Sequence, residues 1–256
     1  GRSLLSAFVG GVIFNAANLL LAAAIALTGL SVAFPVGIGI ALVLGVAVNY
    51  MSAAKGDPFF IFAGVALIAA AIVMNGIAYK KARTESRSLT TKGILISVAA
   101  GIIMAFFYRF VAASMDLSNF AAPASGKLTP YTAVAIFAAG VFLSNFLFDT
   151  LAMRHPAEGA PVKPSDYFRG DLRTHLVGLL GGAIWCLGQS FSLIASEKAG
   201  AAISYGLGQG ATLVSALWGI LIWKEFKGAP RISVRLNTGM FIFFLIGLGL
   251  LIYAGA

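Results

Sequence analysis

Charged residues and cysteine are both scarce in this chain. Only 11% of its 256 residues are charged, whereas a soluble domain carries roughly 25%, and the mean hydropathy is +0.93. So few charges cannot cover a surface that faces water, which excludes an ordinary soluble protein. The single cysteine, Cys186, excludes an internal disulfide and a zinc site held by several thiolates. We therefore expect an integral membrane protein that binds no metal.

Acidic residues and histidines are rare as well, with nine Asp and Glu and two His. An enzyme within the membrane would need a cluster of titratable groups, and the sequence contains no such cluster. The formal net charge is +9, but the basic residues occupy short links between apolar runs instead of one continuous face. We expect neither an enzyme nor a nucleic-acid-binding protein, and no cofactor.

Eight apolar runs are each long enough to cross a bilayer, which takes about 20 helical residues. None alternates apolar and polar residues as the strands of a membrane barrel do, and helices satisfy every backbone group in lipid. The sequence therefore predicts an all-α, polytopic membrane protein. Its spans are expected at residues 4–28, 30–51, 58–79, 93–115, 129–153, 174–196, 199–223 and 232–253.

Lysine and arginine are distributed unequally between the two sides of the predicted membrane. Thirteen of the 18 lie in 80–92, 154–173 and 224–235, four lie on the opposite side, and Arg109 lies within the fourth span. Cytoplasmic links carry the excess of basic residues. These three segments are therefore predicted to be cytoplasmic, both ends of the chain to face outward, and the membrane to be the bacterial inner (plasma) membrane.

An internal repeat appears when the chain is compared with itself at an offset of 171 residues. Glycines, aromatic positions and amides agree over a stretch of about 35 residues without a gap. Five spans separate the copies, so the second copy crosses the membrane in the opposite direction, as in many secondary transporters. The matched pairs include Gly10-Gly11 with Gly181-Gly182, Phe14 with Trp185, Asn18 with Gln189, Gly29 with Gly200, and Phe34 with Tyr205.

The repeat also predicts the organisation of the two halves. Spans one to three correspond to spans six to eight, whereas spans four and five have no partners. We therefore expect part of a ten-helix, five-plus-five inverted repeat that lacks its first two helices. Residues 1–80 are the remainder of the first half, and residues 92–256 are the second half.

Two sets of short motifs in the chain resemble known transporters. One set is Lys127-Leu128-Thr129-Pro130-Tyr131-Thr132-Ala133, Gln209, Trp218-Gly219-Ile220 and Glu225, and the other is Gly10-Gly11, Gly29 and Phe34-Pro35. The first set resembles ureide permeases and the second resembles glucose/ribose/rhamnose uptake proteins, which form one branch of the drug/metabolite transporter superfamily. The resemblance implies ten helices in two inverted halves and the transport of a small metabolite.

Four amides within the spans are candidate solute ligands, because an amide presents both donors and acceptors. Asn15 and Asn18 share one face of the first span, Gln189 is the repeat partner of Asn18, and Gln209 lies in the middle of the seventh span. Such groups suit sugar hydroxyls, ureides or the edges of nucleobases. The alternative is an interhelical hydrogen bond, which amides commonly form in bundles.

The remaining candidates are three rings and two charged residues. Phe34, Trp185 and Tyr205 could stack on a planar solute or simply pack between helices. Arg109 could bind a carboxylate as a bidentate donor or extend to the outer interface. Asp149 could carry a coupling proton or lie at the cytoplasmic interface.

These features predict a secondary active transporter that moves a small polar organic solute by alternating access. The expected solute is a monosaccharide, a ureide or a nucleobase, and its transport is expected to be coupled to a proton carried by Asp149. The expected cavity is formed by spans one, two, six and seven, with Arg109 contributed by span four. The alternatives are a passive facilitator or channel, and an exporter of small metabolites that include carboxylates. The expected partners are the solute and the lipid bilayer, with the protein a monomer or homodimer.

The basic links lead to a test of topology. Cysteines introduced at Ser86 and Ser165 should resist a membrane-impermeant thiol reagent in intact cells, because both positions lie in links predicted to be cytoplasmic. Ready labelling of both positions would contradict the predicted orientation.

Overall fold

A computed structural model describes residues 1–82, 90–222, 224 and 226–255. Arg83 and Arg87 of the first basic link, and Glu225 of the transporter-like motif, lie outside the described residues. Within these residues the only regular secondary structure is α-helix, apart from one isolated β-bridge between Met115 and Leu128. The helices are α1 (Arg2–Thr28), α2 (Leu30–Ser52), α3 (Pro58–Ala82), α4 (Thr91–Ser114), α5 (Pro130–Arg154), α6 (Pro164–Tyr167), α7 (Leu172–Ala199), α8 (Ala201–Gly208), α9 (Gly210–Leu221) and α10 (Arg231–Ala254).

Seven of these helices are long and apolar enough to cross a membrane. They coincide within a few residues with seven of the eight predicted spans. Two of them begin at threonine caps: Thr90 accepts a hydrogen bond from the Gly93 amide, and Thr129 accepts one from the Thr132 amide. Pro130 follows Thr129 at the first helical position, where its missing N–H costs nothing. The prediction of a polytopic all-α membrane protein is confirmed.

The prediction of one continuous helix for the seventh span, at 199–223, was wrong. It forms two shorter helices, α8 and α9, that meet at Gln209. The backbone N–H of Gln209 donates to the Gly206 carbonyl, and the backbone carbonyl of Gln209 accepts from the Thr212 N–H. Both bonds join residues three apart, so the chain turns more tightly there than in an α-helix. Glycines at 206, 208 and 210 surround this point, and glycine is a poor helix former.

Helix α1 lies in a tight groove formed by α4 and α5. A Cβ atom at Gly11 would overlap the Phe137 carbonyl oxygen, and one at Gly140 would overlap the Phe8 carbonyl oxygen. Helices α2 and α3 complete this side, and α3 packs along α10. Small residues therefore let the backbones of α1 and α5 approach closely, as is common between membrane helices.

Helix α7 is packed very differently from α1, although the two are repeat partners in sequence. Its Gly181 and Gly182 match Gly10 and Gly11, yet a Cβ at either position would meet no atom within 4 Å. Only Leu193 and Ser196 of α7 are buried. Sequence similarity between the copies is therefore not matched by equal burial in the structure.

The links predicted to lie on the outer side meet at one end of the helices. The Lys55 ammonium donates to the Glu197 carbonyl at 2.6 Å, and a Glu197 carboxylate oxygen accepts from the Phe120 amide at 2.6 Å. At the opposite end, the rings of Tyr79 and Phe226 pack edge to face at 5.1 Å. The helices thus alternate in direction as the sequence predicts.

Two glycines at matched positions of the repeat have nearly the same backbone conformation. Gly29, between α1 and α2, has φ 81° and ψ 159°, and Gly200, between α7 and α8, has φ 84° and ψ 158°. Their amides bond to the Ile25 and Ser196 carbonyls, which are again matched positions. This region of φ and ψ is accessible essentially to glycine alone, so the repeat has a common sharp corner.

This conformation predicts a stability difference between glycine substitutions. Gly29→Ala and Gly200→Ala should each destabilise the fold by about 1–3 kcal/mol, because a side chain is strained at these dihedral angles. Gly39→Ala is the matched control, since Gly39 is helical and a Cβ there meets no atom within 4 Å. Thermal unfolding in detergent measures the effect, and equal melting temperatures for Gly29→Ala and Gly39→Ala would contradict it.

Candidate functional site

An aromatic cluster lies where α1, α4, α5, α7 and α8 converge. Phe107 is near its centre, with ring centroids 5.1 Å from Phe14 and 6.1 Å from Tyr205. Tyr108 and Tyr205 pack edge to face at 5.5 Å. The cluster therefore joins helices from both predicted halves. Its members are Phe14, Phe107, Tyr108, Phe137, Trp185 and Tyr205.

Phe14 and Trp185, which are repeat partners, stack on each other within this cluster. Their ring centroids are 4.6 Å apart and their planes differ by 27°. Trp185 also stacks on Phe137 at 6.1 Å. The stack therefore joins two positions that match in the sequence repeat.

Polar groups line the α7–α8 side of the aromatic cluster. The Tyr108 hydroxyl donates to the Ser192 carbonyl at 3.1 Å, and the Ser192 hydroxyl donates to the Ser204 carbonyl at 3.2 Å. Trp185, Gln189 and Ser192 lie on one face of α7, because residues three and four apart are neighbours on a helix. The Gln189 side-chain nitrogen and the Ser204 hydroxyl are buried without a hydrogen-bond partner. Such unsatisfied groups are costly in a closed interior.

The four predicted amides occupy different environments. Asn15 is buried and donates to the Ser144 hydroxyl at 2.9 Å, which is the interhelical bond that the sequence left as its alternative. Asn18 is exposed, so it does not share the setting of its repeat partner Gln189. Gln209 lies at the break between α8 and α9. Gln189 alone of the four combines a buried, unpartnered polar atom with a position on the cluster face.

Two further candidates lie apart from the aromatic cluster. Phe34 is half-buried on α2 and makes no ring contact among the described residues, whereas its partner Tyr205 is buried and donates to the Ala41 carbonyl at 3.0 Å. Asp149 is half-buried on α5, about one turn from the helix end at Arg154.

Arg109 lines a separate polar cavity at the predicted outer end of the protein. This outer polar cavity has a volume of about 660 Å³. It is formed by the ends of α2 and α4, the link that follows α4, and the start of α8 at Ala201. Arg109 is exposed and lies five residues before the end of α4. None of the predicted amides Asn15, Asn18, Gln189 and Gln209 lines this cavity. The polar lining residues are Asn49, Ser52, Arg109, Asp116 and Lys127.

Asn49 is a cavity residue that the sequence analysis missed. Its side-chain nitrogen donates to the Gly45 carbonyl at 2.7 Å, while its side-chain oxygen is buried without a partner. The available signal was an amide close to the end of a span, which alone does not distinguish a ligand from a helix-capping group. Asn49 is of interest because its amide is buried at the rim of the outer polar cavity.

Asp116 supplies the negative charge of the outer polar cavity, and its oxygens are already occupied. The Ser118 hydroxyl donates to this carboxylate at 2.6 Å, and the Ala124 amide donates to its second oxygen at 2.9 Å. These bonds, first of all that of the Ser118 hydroxyl, lower the pKa of Asp116 to about 2. Asp116 is therefore ionised at physiological pH and serves to order the link between α4 and α5.

An apolar groove between α2 and α3 is somewhat larger, at about 750 Å³. Its lining is almost entirely aliphatic, from Val32 on α2 to Ile77 on α3, with Lys80 at one end. Such a surface fits hydrocarbon and offers little to orient a polar solute. The groove is therefore the larger of the two cavities but the poorer candidate for recognition.

Comparison with known proteins identifies the family. The family model "Ureide permease" matches residues 78–254, which include most of the aromatic cluster and Arg109. The chain is 25% identical over 163 residues to ureide permease 1 of Arabidopsis thaliana, covering 63% of this chain and 42% of that protein. It is 24% identical over 160 residues to ureide permease 2 of the same plant, covering 62% and 40%. No solved structure matches the chain.

The matches thus extend over about two fifths of the length of these curated relatives. Proteins of this family are transporters and not enzymes, in agreement with the expectation from the sequence. The matched region covers more than half of the chain, from the end of α3 to the end of α10. This chain therefore belongs to the ureide permease family.

Proposed function

We propose that the protein is a secondary active transporter that moves a ureide or a related small polar solute across a membrane by alternating access. The family match over residues 78–254 is the observation that carries this proposal. Seven helices long and apolar enough to cross a membrane support an activity within a bilayer. We further propose that the membrane is a bacterial inner membrane and that the basic links face the cytoplasm.

The aromatic cluster is the proposed central solute site. In secondary transporters the substrate lies near the midplane between two inverted halves, commonly beside a broken helix. Here repeat partners Phe14 and Trp185 touch in the cluster, and the nearby α8–α9 segment is broken at Gln209. Flat rings offer stacking to a planar ureide, and the unpartnered Gln189 nitrogen offers a donor to its carbonyl.

Alternating access is proposed to open and close this cluster. The rings are in contact, so solute entry requires α1 and α7 to separate at the Phe14–Trp185 stack. Helix α7 has few buried residues, so it can move at a lower packing cost than α1. The matched corners at Gly29 and Gly200 fix where each repeat turns. We propose that residues 1–80 and 92–256 belong to the two halves that move.

Coupling to a proton is the proposed energy source, with Asp149 as the carrier. Asp149 is a half-buried acid within α5, and acids inside membrane helices commonly mark ion or proton pathways. The competing possibility is a passive facilitator, which needs no titratable group. The two differ in whether the solute accumulates.

Uptake by the full-length protein in proteoliposomes tests the proposal. With an inward proton gradient, labelled hydantoin, a small cyclic ureide, should accumulate above its external concentration, and an ionophore should abolish the excess. Asp149→Asn should retain equilibration but lose accumulation, because the amide cannot carry a proton. A facilitator would equilibrate hydantoin without accumulation, and absence of protein-dependent flux would refute ureide transport.

The amides give a paired prediction that separates a solute contact from a structural bond. Gln189→Leu should weaken apparent affinity on the order of 5- to 100-fold, the value of one good hydrogen bond, without lowering the melting temperature, since the Gln189 nitrogen has no partner to lose. Asn15→Leu should instead lower the melting temperature and leave the apparent affinity for the solute unchanged. It removes the bond to Ser144 and should cost about 0.5–2 kcal/mol of stability.

Uptake kinetics and thermal unfolding are measured on the same purified variants. Wild-type affinity in Gln189→Leu would show that this amide does not contact the solute. An unchanged melting temperature in Asn15→Leu would show that its interhelical bond contributes nothing measurable.

A further inference from the structure

The apolar groove between α2 and α3 follows one face of each helix. On α3 it is lined by Ala69, Val73, Ile77 and Lys80, and spacings of three and four residues place side chains on one side of a helix. Val73 is 50% exposed and Ile77 is 41% exposed. The groove is therefore open to the surroundings of the helices, which for a membrane-spanning protein are lipid.

Small side chains on α2 leave open space in the groove. Pro35 and Gly39 lie one turn apart on the face of α2 that lines it. A Cβ atom at Gly39 would meet no atom within 4 Å, so no group of the protein fills the space in front of this glycine. The volume of about 750 Å³ lies within the usual range for small-molecule sites.

The length of the groove matches one leaflet of a bilayer. Its lining on α2 extends from Val32 to Leu44, which is about 18 Å at a rise of about 1.5 Å per residue. One leaflet is half of a hydrocarbon core about 30 Å thick. Val32 lies near the start of α2 and Lys80 near the end of α3. The groove thus extends from the membrane surface on the side of the basic links towards the midplane.

Positive charge lies at the surface end of the groove. Lys80 lines the groove there and is exposed, and the exposed Lys81 follows it on α3. Lys92 is exposed at the start of α4, the helix that contributes Ile102 to the lining. Within the described part of the chain no acid lines the groove. A ligand with an apolar tail and an anionic head would match both the lining and the charge.

We propose that the apolar groove between α2 and α3 binds one anionic phospholipid from the leaflet on the side of the basic links. An acyl chain lies along the aliphatic lining, and the Lys80 ammonium binds the lipid phosphate. The stem of a lysine packs against hydrocarbon while its ammonium stays at the interface, and an ammonium binds phosphate as a point charge. This site is separate from the proposed solute site and does not depend on which solute is transported.

Native mass spectrometry of the purified full-length protein in detergent tests the proposal. The probes are phosphatidylglycerol and phosphatidylcholine with the same palmitoyl and oleoyl chains, so that only the headgroup differs. The protein should retain one phosphatidylglycerol with an affinity at least about fivefold above that for phosphatidylcholine, the effect of one lysine near an anionic headgroup. Equal retention of the two lipids, or retention of neither, would overturn the proposal.

A glycine substitution tests whether the acyl chain occupies the groove. Gly39→Leu places a side chain in the open space and should lower the affinity for phosphatidylglycerol by about fivefold or more, since one or two methylene groups lose their contacts. Its melting temperature without lipid should not fall. Gly249→Leu is the matched control, because a Cβ at Gly249 on α10 also meets no atom within 4 Å and Gly249 does not line the groove. Equal affinities of the two variants would overturn the site.

Lysine substitutions test the headgroup contact. Lys80→Gln should reduce the preference for phosphatidylglycerol to below about twofold, and Lys80→Arg should retain it, because the phosphate needs a positive charge. Lys198→Gln is the charge-matched control, since Lys198 is exposed at the opposite end and does not line the groove. An undiminished preference in Lys80→Gln, or an equal loss in Lys198→Gln, would overturn the role of Lys80.

The same spectra distinguish other occupants of the groove. A protein dimer that Gly39→Leu dissociates and Gly249→Leu does not would assign the groove to a second copy of the chain. Glycerol 3-phosphate bound as tightly as phosphatidylglycerol, and lost in Lys80→Gln, would assign Lys80 to a free phosphate compound. Either result would overturn the lipid site.

Discussion

Lipid offers no hydrogen bonds to a peptide backbone, and this constraint governs the structure. Seven long helices satisfy their own amides and carbonyls across the apolar layer. Among the described residues, three short departures from helix each have their own backbone solution. Gly29 and Gly200 turn through a conformation that other residues adopt only under strain, and the break at Gln209 retains short-range bonds to Gly206 and Thr212.

Close packing between helices is the second constraint on the structure, because lipid tails compete with every apolar contact between side chains. Gly11 and Gly140 let the backbones of α1 and α5 come into contact. A hydrogen bond from Asn15 to Ser144 joins the same two helices. Helix α7 carries the matching glycines without such a partner. The contact between α1 and α7 is instead concentrated in aromatic rings, above all the Phe14–Trp185 stack. A firmly packed helix and a loosely packed one thus meet at the proposed solute site.

The two polar regions differ in chemistry and in depth. The aromatic cluster combines flat rings with the Gln189 nitrogen and the Ser204 hydroxyl, both unpartnered, and suits a planar, neutral part of a solute. The outer polar cavity lies at the predicted outer end and is lined by the charged side chains of Arg109, Lys127 and Asp116.

The sequence by itself determined the membrane class, seven of its eight predicted spans and the ureide permease resemblance, because apolar run length and local motifs report directly on the chain. It also matched Gly29 with Gly200, where the structure forms two corners of the same conformation. It did not determine which side chains meet. Asn15 and Asn18 share a face by periodicity, yet one bonds to Ser144 and the other is exposed. Arg109 lines one cavity with Asn49, and Gln189 does not line it. Those outcomes depend on how helices distant in sequence cross, and helix crossings are decided by packing between backbones that no local pattern encodes.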